Sequence, residues 1–334
     1  MRVSLTGVPI HGNGHYEYQL AGYGKVAWQL KEALIRHGVE VVINDPDTPI
    51  VIDIDNPGWL TNENVMPHIR IGPNQYKIGL TTHESTEIIP EWKIGLETVD
   101  EIWAMSDWVA DTFRKYVGER VTLSVPVCSD SEIEARRRIF DEPFYFIHVG
   151  EPSERKMGTM VLEAFVQEFG DDEKVNLVFK VSDAPSLGLM NYGNVYVFGN
   201  ATTEEYYHLL NKMHCLVYPT IGEGGGLIPL EALTMGMPVI STWEWADYKN
   251  FIHLKLDSTL SPVLQSIQDT TFLRGNGYST TVESIRSNMR KVYDNYEYYS
   301  ELHYAQAKEV TNVYNWDRVA KEIVIPRLEK IING

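Results

Sequence analysis

Short apolar runs rich in β-branched residues alternate with longer stretches of helical period along most of the chain. In the first half, RVSLT (2–6), EVVI (40–43), IVIDI (50–54), KIGLT (77–81), EIWAM (101–105) and RVTLSV (120–125) read as strands. Helices are expected near 24–37 and 106–116. The first carries its apolar residues at Val26, Ala27, Leu30, Ala33 and Leu34, the spacing of one helix face, and stops at Gly38. The same rhythm then resumes. FYFIHV (144–149), VNLVFKV (175–181), NVYVF (194–198), CLVYP (215–219) and PVIST (238–242) read as strands, with helices near 157–169, 202–213 and 228–235. Residues 282–300 and 313–332 look helical. Strand–helix alternation predicts an α/β fold in which parallel sheets are covered by helices.

The segment 129–144 is charged, contains Pro143 and lacks an apolar stripe, so it marks the connection between two such domains. The expected division is 1–143, 144–312 and a closing helix 313–334 that packs towards the N-terminal domain. Two doubly wound, Rossmann-like domains would present their ligand sites at the carboxyl ends of their strands, in a cleft between them. A length of 334 residues suits two domains, and 43% hydrophobic with 22% charged residues suits packed cores.

Charge narrows the range of partners. Against 29 Lys and Arg stand 46 Asp and Glu, a net charge of −17 that is shared almost evenly between the halves. Such a surface opposes phosphate-backbone binding, so nucleic acid is disfavoured, although Arg136–Arg137–Arg138 is a local basic run that keeps it open. Cys128 and Cys215 are far apart in sequence and lack metal-site or disulfide spacing, which fits a reducing compartment. No apolar stretch is long enough to cross a membrane and the first residues do not form a signal peptide, so a cytoplasmic protein is expected.

The most informative segment is Tyr218–Asp247. A buried strand ends at Tyr218–Pro219, a loop carries Glu223 with Gly224, Gly225 and Gly226, and a helix begins near Ile228 with Glu231 in its first turns. Glycines before a helix N-terminus let backbone N–H groups approach an anion closely, and the helix dipole favours negative charge there. Two carboxylates eight residues apart can accept from the hydroxyls of a polyol beside that anion. A glycine-rich turn alone is as often just a tight turn. A second segment, 148–165, delivers Arg155 and Lys156 to a strand's carboxyl end, ahead of Gly158 and another helix. Basic pairs in loops are usually solvated surface, but at this position they would also neutralise a diphosphate.

The run Pro219, Glu223, Gly224, Gly226, Leu227, Pro229, Glu231, Ala232, Gly236, Pro238 and Val239 resembles the signature of retaining glycosyltransferases of family 4. That family comprises glycogen synthase-like and glycosyl transferases group 1 enzymes and has the GT-B fold. The resemblance implies transfer of a sugar from a nucleoside diphosphate sugar to an acceptor hydroxyl, with UDP- or GDP-sugars as donors and no further cofactor or metal. It implies that Glu223 faces the donor sugar, that the backbone of Gly224, Gly225, Gly226 and Leu227 meets sugar and diphosphate, and that Glu231 holds the ribose. Arg155 and Lys156 would contact the diphosphate; Glu151 stands where the family often has arginine, so Arg155 takes that role.

Other segments add to this. Gly199–Asn200–Ala201 turns out of a strand, and Thr202 with Glu205 spells a capping box; the resemblance adds base contacts at Asn200 and Thr202. Gly22–Tyr23–Gly24 precedes the first helix and looks like the family's glycine-rich loop, lengthened by the insert 11–19, which would bear on acceptor choice. His83, in the loop after a strand, occupies the place of a donor-contacting histidine, whereas His11, His15 and His68 are read as structural. Asp53–Ile54–Asp55 has the spacing of a metal-binding pair from the other large glycosyltransferase fold but lacks that fold's surroundings. The acceptor, whether glycan, lipid, protein or modified nucleic-acid base, is not specified. Rival readings are an epimerase or hydrolase acting on nucleotide sugars, a phage-type transferase modifying DNA bases, and a sugar-nucleotide binding protein without activity.

Overall fold

The computed structural model describes residues 1–7, 22–64, 69–130, 132–170, 172–181, 193–263, 265–267 and 270–334, without the side chains of 265–267 and 270–272. The insert 11–19, His11, His15 and His68 lie outside these residues. The chain divides into two compact units. One comprises Met1–Ser131, Ser266–Gly275 and Val313–Gly334, and the other Glu132–Gln265 and Asn276–Asn312.

In the first unit, β1 (Arg2–Thr6), β2 (Glu40–Ile43), β3 (Ile50–Ile54), β4 (Tyr76–Thr81), β5 (Glu101–Ala104) and β6 (Val121–Ser124) form one parallel sheet in the order β2-β1-β3-β4-β5-β6. Strand β3 is buried along its whole length, as expected for the middle of a sheet with helices on both faces. The crossovers carry α1 (Tyr23–Arg36), α2 (Pro90–Leu96) and α3 (Asp107–Val117). The apolar stripe of α1 is the buried face foreseen from the sequence. Ser106 caps α3 by accepting from the Val109 N–H, which satisfies one of the free amides of its first turn.

The second unit is also built on a six-stranded parallel sheet, with a different strand order. Strands β7 (Phe144–Val149), β8 (Val175–Lys180), β9 (Val195–Phe198), β10 (Cys215–Tyr218), β11 (Val239–Ser241) and β12 (Leu254–Lys255) form a parallel sheet in the order β12-β11-β10-β7-β8-β9. Helices α4 (Gly158–Phe169), α5 (Thr203–Lys212) and α6 (Leu227–Thr234) connect them. Its core gathers Phe144, Phe146, Phe165, Phe169 and Phe179 with Ile285, Met289 and Val292, each contributing on the order of 2 kcal/mol by burial.

A polar arm follows β12. Strands β13 (Ser258–Pro262) and β16 (Asn276–Thr280) pair antiparallel, and β14 (Gln265–Ile267) and β15 (Thr270–Leu273) form a second two-stranded sheet. Within the second unit, the Tyr278 N–H donates to the Ile221 carbonyl at 2.7 Å, so the arm supports the loop that carries Glu223. The stretch expected as one helix over 282–300 is instead two, α7 (Val282–Asp294) and α8 (Tyr296–Val313), because Asn295 leaves helical geometry.

The closing segment, α9 (Trp316–Val319), a π-helical turn at 320–324 and α10 (Ile325–Asn333), belongs to the first unit. It is held there by Glu101, buried in β5, which accepts from Arg327 Nε at 2.9 Å, Thr122 at 2.6 Å, Tyr76 at 2.8 Å and Trp103 at 3.1 Å. Among the described residues no helix is long and apolar enough to cross a membrane.

Candidate functional site

In the second sheet the chain runs from β7 outward through β8 to β9 and then returns to the other side of β7 with β10. Loops after β7 and β10 therefore diverge, and in an open parallel sheet that reversal opens a crevice at the carboxyl ends of the two strands. Arg155 and Lys156 follow β7, and Thr220–Gly226 follow β10. The loops are stitched together by the Ile221 N–H, which donates to the Arg155 carbonyl at 2.9 Å.

Between these loops one carboxylate oxygen collects several donors. Glu223 Oε1 accepts from Arg155 Nη1 at 2.6 Å, Lys156 Nζ at 2.6 Å and Thr220 Oγ1 at 2.7 Å. Lys156 Nζ also lies 2.5 Å from Tyr218 Oη, and Arg155 also donates to the Gly222 carbonyl at 2.8 Å. A short turn of 3₁₀ helix at Glu154–Lys156, closed by Met157 in left-handed geometry, directs the lysine inward, where it is only 9% exposed. Burial alone would raise the Glu223 pKa, but the charges of Arg155 and Lys156 outweigh it and bring the carboxyl down to about 2. Glu223 is thus ionised, and two cations are held at hydrogen-bond distance from it.

The floor beneath is neutral. His148, buried in β7, has Nδ1 2.9 Å from the Val217 carbonyl, and burial with the nearby Lys156 charge lowers its pKa to about 4. Tyr218 is kept protonated because burial, and then the Glu223 charge, push its pKa well up.

Gly224, Gly225 and Gly226 lead directly from Glu223 into α6, with Gly226 at φ +69° as the residue before the helix. Any side chain there would collide with Tyr248 Oη at 2.3 Å and Trp245 at 2.4 Å, so only glycine fits. Leu227 opens α6, whose first-turn amides have no carbonyl partners within the helix. Glu231 lies on the same helix, 1% exposed, and accepts from Tyr206 and Tyr207 of α5, each at 3.2 Å. Thr202 and Glu205 form the foreseen capping box at the start of α5, and Asn200, exposed, precedes it. One unit thus carries Arg155, Lys156, Glu223, the glycine triplet, Leu227, Glu231, Asn200 and Thr202.

Gly22, Gly24 and His83 belong to the first unit. Gly22 precedes α1 and Gly24 is buried within it. His83 is buried after β4, with Nε2 2.6 Å from the Glu87 carbonyl and 2.8 Å from Ser85 Oγ, and its ring meets Trp92 edge-on at 4.9 Å. Ser85 in turn donates to the Arg274 carbonyl at 2.7 Å. Asp53 and Asp55 end β3; burial, the largest influence on both, raises their pKa values to about 6 and about 7. Among the described residues no group of three or more His, Cys, Asp or Glu is arranged to hold a metal ion.

Sequence reasoning missed Tyr206, Tyr207, Tyr218, Thr220 and Tyr248. Tyr218 and Thr220 flank the strand-ending Pro219 and could have been found by asking which side chains must accompany a buried lysine. The α5 tyrosines carry no such signal.

The family described as Glycosyl transferases group 1 matches residues 129–244, about a third of the chain. No curated protein sequence matches. Similar solved structures include sucrose-phosphate synthase from Thermosynechococcus elongatus, with a TM-score of 0.68, 14% identity and full coverage of both chains. WaaG, a glycosyltransferase involved in lipopolysaccharide biosynthesis, gives a TM-score of 0.61 at 13% identity, over 96% of this chain and 98% of its own. The pneumococcal O-GlcNAc transferase GtfA, in a complex with UDP and GlcNAc, gives 0.58 at 15% identity, over 93% of this chain and 61% of its own. Residues 129–244 thus resemble glycosyl transferases group 1, in a chain with the two-domain, Rossmann-like GT-B fold.

Proposed function

We propose that the protein is a retaining glycosyltransferase that moves a sugar from a nucleoside diphosphate sugar, UDP- or GDP-linked, to an acceptor hydroxyl without help from a metal. The observation that carries this reading is the convergence of Arg155 and Lys156 on Glu223 at the β7–β10 crevice, beside the N-terminus of α6. When the bond between the anomeric carbon and the diphosphate oxygen breaks, its electron pair stays on the phosphate. Arg155, Lys156 and the first-turn amides of α6 are suited to stabilise that charge. Glu223 keeps the two cations in place before the donor arrives, and faces the sugar once the diphosphate shares them. The acceptor oxygen attacks from the face the phosphate leaves, and its proton passes to the departing phosphate oxygen. In this scheme Glu231 holds the ribose, Asn200 and Thr202 lie along the base, and Gly22, Gly24 and His83 are further donor contacts that the family resemblance suggests.

The test is release of nucleoside diphosphate from UDP- and GDP-sugars with a panel of glycan, lipid, peptide and DNA acceptors. Lys156→Ala should lower turnover about 100-fold or more, with the circular dichroism spectrum unchanged; chelators should have no effect, and the product should keep the donor's anomeric configuration. Full turnover by Lys156→Ala would refute the site. Conversion of donor in the absence of any acceptor would instead indicate an epimerase or hydrolase.

A further inference from the structure

A carboxylate as buried as Glu231 loses several kcal/mol of hydration unless hydrogen bonds replace it. Here the replacement comes from consecutive residues of α5. Tyr206 Oη donates to Oε2 and Tyr207 Oη to Oε1, each at 3.2 Å, so each oxygen has its own phenol. Neighbouring residues on a helix point about 100° apart, since a turn takes about 3.6 residues. Both rings nevertheless reach one carboxylate, with their centroids 5.5 Å apart. Tyr206 is buried, and burial, followed by the Glu231 charge, pushes its pKa well above the ordinary value, so it remains a proton donor at any working pH. A carboxylate gripped at both oxygens is held against rotation about its last torsion, while a carboxylate oxygen by its nature can accept from more than one donor. That is the requirement for receiving two adjacent hydroxyls at once.

From this we infer that Tyr206 and Tyr207 are positioning residues, which orient Glu231 towards the vicinal diol of the donor's ribose and so act on nucleotide recognition and not on sugar transfer. The inference rests on the nucleoside diphosphate sugar reading above. It also links two segments that the sequence leaves separate: the turn at Asn200–Thr202, whose carbonyl at Thr202 accepts from the Tyr206 N–H at 2.9 Å, and the helix bearing Glu231. Removing either phenol takes one hydrogen bond from a buried carboxylate and leaves it freer to turn away.

Isothermal titration of wild type, Tyr206→Phe and Tyr207→Phe with UDP and GDP, and with their 2′-deoxy counterparts, tests this directly. Each substitution should weaken binding of the ribonucleotide about tenfold, the scale of one hydrogen bond to a charged group. The same change should appear in KM for the donor sugar, with kcat at saturation within about twofold of wild type. The decisive quantity is the ratio of deoxy- to ribonucleotide Kd, which should be large in wild type and shrink in both variants. An unchanged ratio in variants with wild-type melting temperature, or a fall in kcat without a change in KM, would overturn the inference. If wild type binds no nucleoside diphosphate, the donor reading itself fails, a separate result. Should Tyr206→Phe not fold, Tyr207→Phe, at a half-buried position, decides alone.

Discussion

Both sheets are parallel and six-stranded, and each has a strand-order reversal, between β7 and β10 in the second unit and between β1 and β3 in the first, with two strands outward of β7 but one outward of β1. What the chain places at the two reversals differs. The second holds an ionised carboxylate saturated by two cations, with the Glu223 pKa brought down to about 2. The first holds Asp53 and Asp55, whose pKa values burial lifts to about 6 and about 7, and each keeps one buried oxygen without a hydrogen-bond partner among the described residues. A parallel sheet with a strand-order reversal thus carries a carboxylate clamped by two cations in one unit and, in the other, two acids that burial makes harder to ionise. Fold gives the place for chemistry, and side chains from distant segments give its kind.

The glycines at the two reversals give the largest expected effects. Gly226 (φ +69°) and Gly7 (φ +92°) both leave no room for a Cβ, which would meet Tyr248 Oη at 2.3 Å and Asp53 Oδ1 at 2.5 Å respectively. Alanine at either position should cost about 4 kcal/mol from overpacking and backbone strain together, seen as a lowered calorimetric melting temperature. If nucleoside diphosphate raises the wild-type melting temperature, as the proposed function requires, Gly226→Ala should also abolish that rise. Wild-type stability in either variant would show that the close approach is not required.

Proton linkage sharpens the contrast, because the two sites have opposite signs. Asp53 and Asp55 titrate above the ordinary 3.8 when folded, so their contribution is complete below that pH and is lost as pH rises through about 6 and about 7. Glu223 titrates below the ordinary 4.5, so its contribution is complete above that pH and is lost as pH falls through about 2. Melting curves should therefore show stability declining between about pH 4 and 7 by on the order of 3 kcal/mol per aspartate. Asp53→Asn and Asp55→Asn should flatten the decline, and Glu223→Gln should leave it intact. An equal slope in all variants would remove the distinction between the two sites.

The smallest effect concerns the approach to Glu231. Thr202→Ala removes the capping box of α5 and should cost about 1 kcal/mol, with a modest rise in the donor KM. A change in kcat alone would argue against this route.

Much of this was legible in advance. The strands of both sheets and the stripe of α1 follow from apolar periodicity, because parallel strands buried on both faces must be written in apolar residues. Gly226, Glu223 and Glu231 stood out by their spacing before a helix. The β13–β16 ribbon did not, because β13 has no buried residue and β16 buries only Gly277 and Thr280, so neither strand carries an apolar alternation. The split at Asn295 was hidden for another reason: no glycine or proline stands anywhere in 282–300 to mark it.

What the sequence determined by itself is everything that depends on neighbours along the chain: strand and helix identity, the capping box, and the glycine loop entering α6. What only tertiary structure decided is everything that depends on residues meeting across the fold. Lys156 and Glu223 are 67 positions apart, and Tyr207 and Glu231 are 24 apart. Whether Asp53 is a solvated carboxylate or a buried acid turns on the layers packed over β3. Charge state and hydrogen-bond partner are set by local dielectric and by distance in space, and both come into existence only when the sheets assemble.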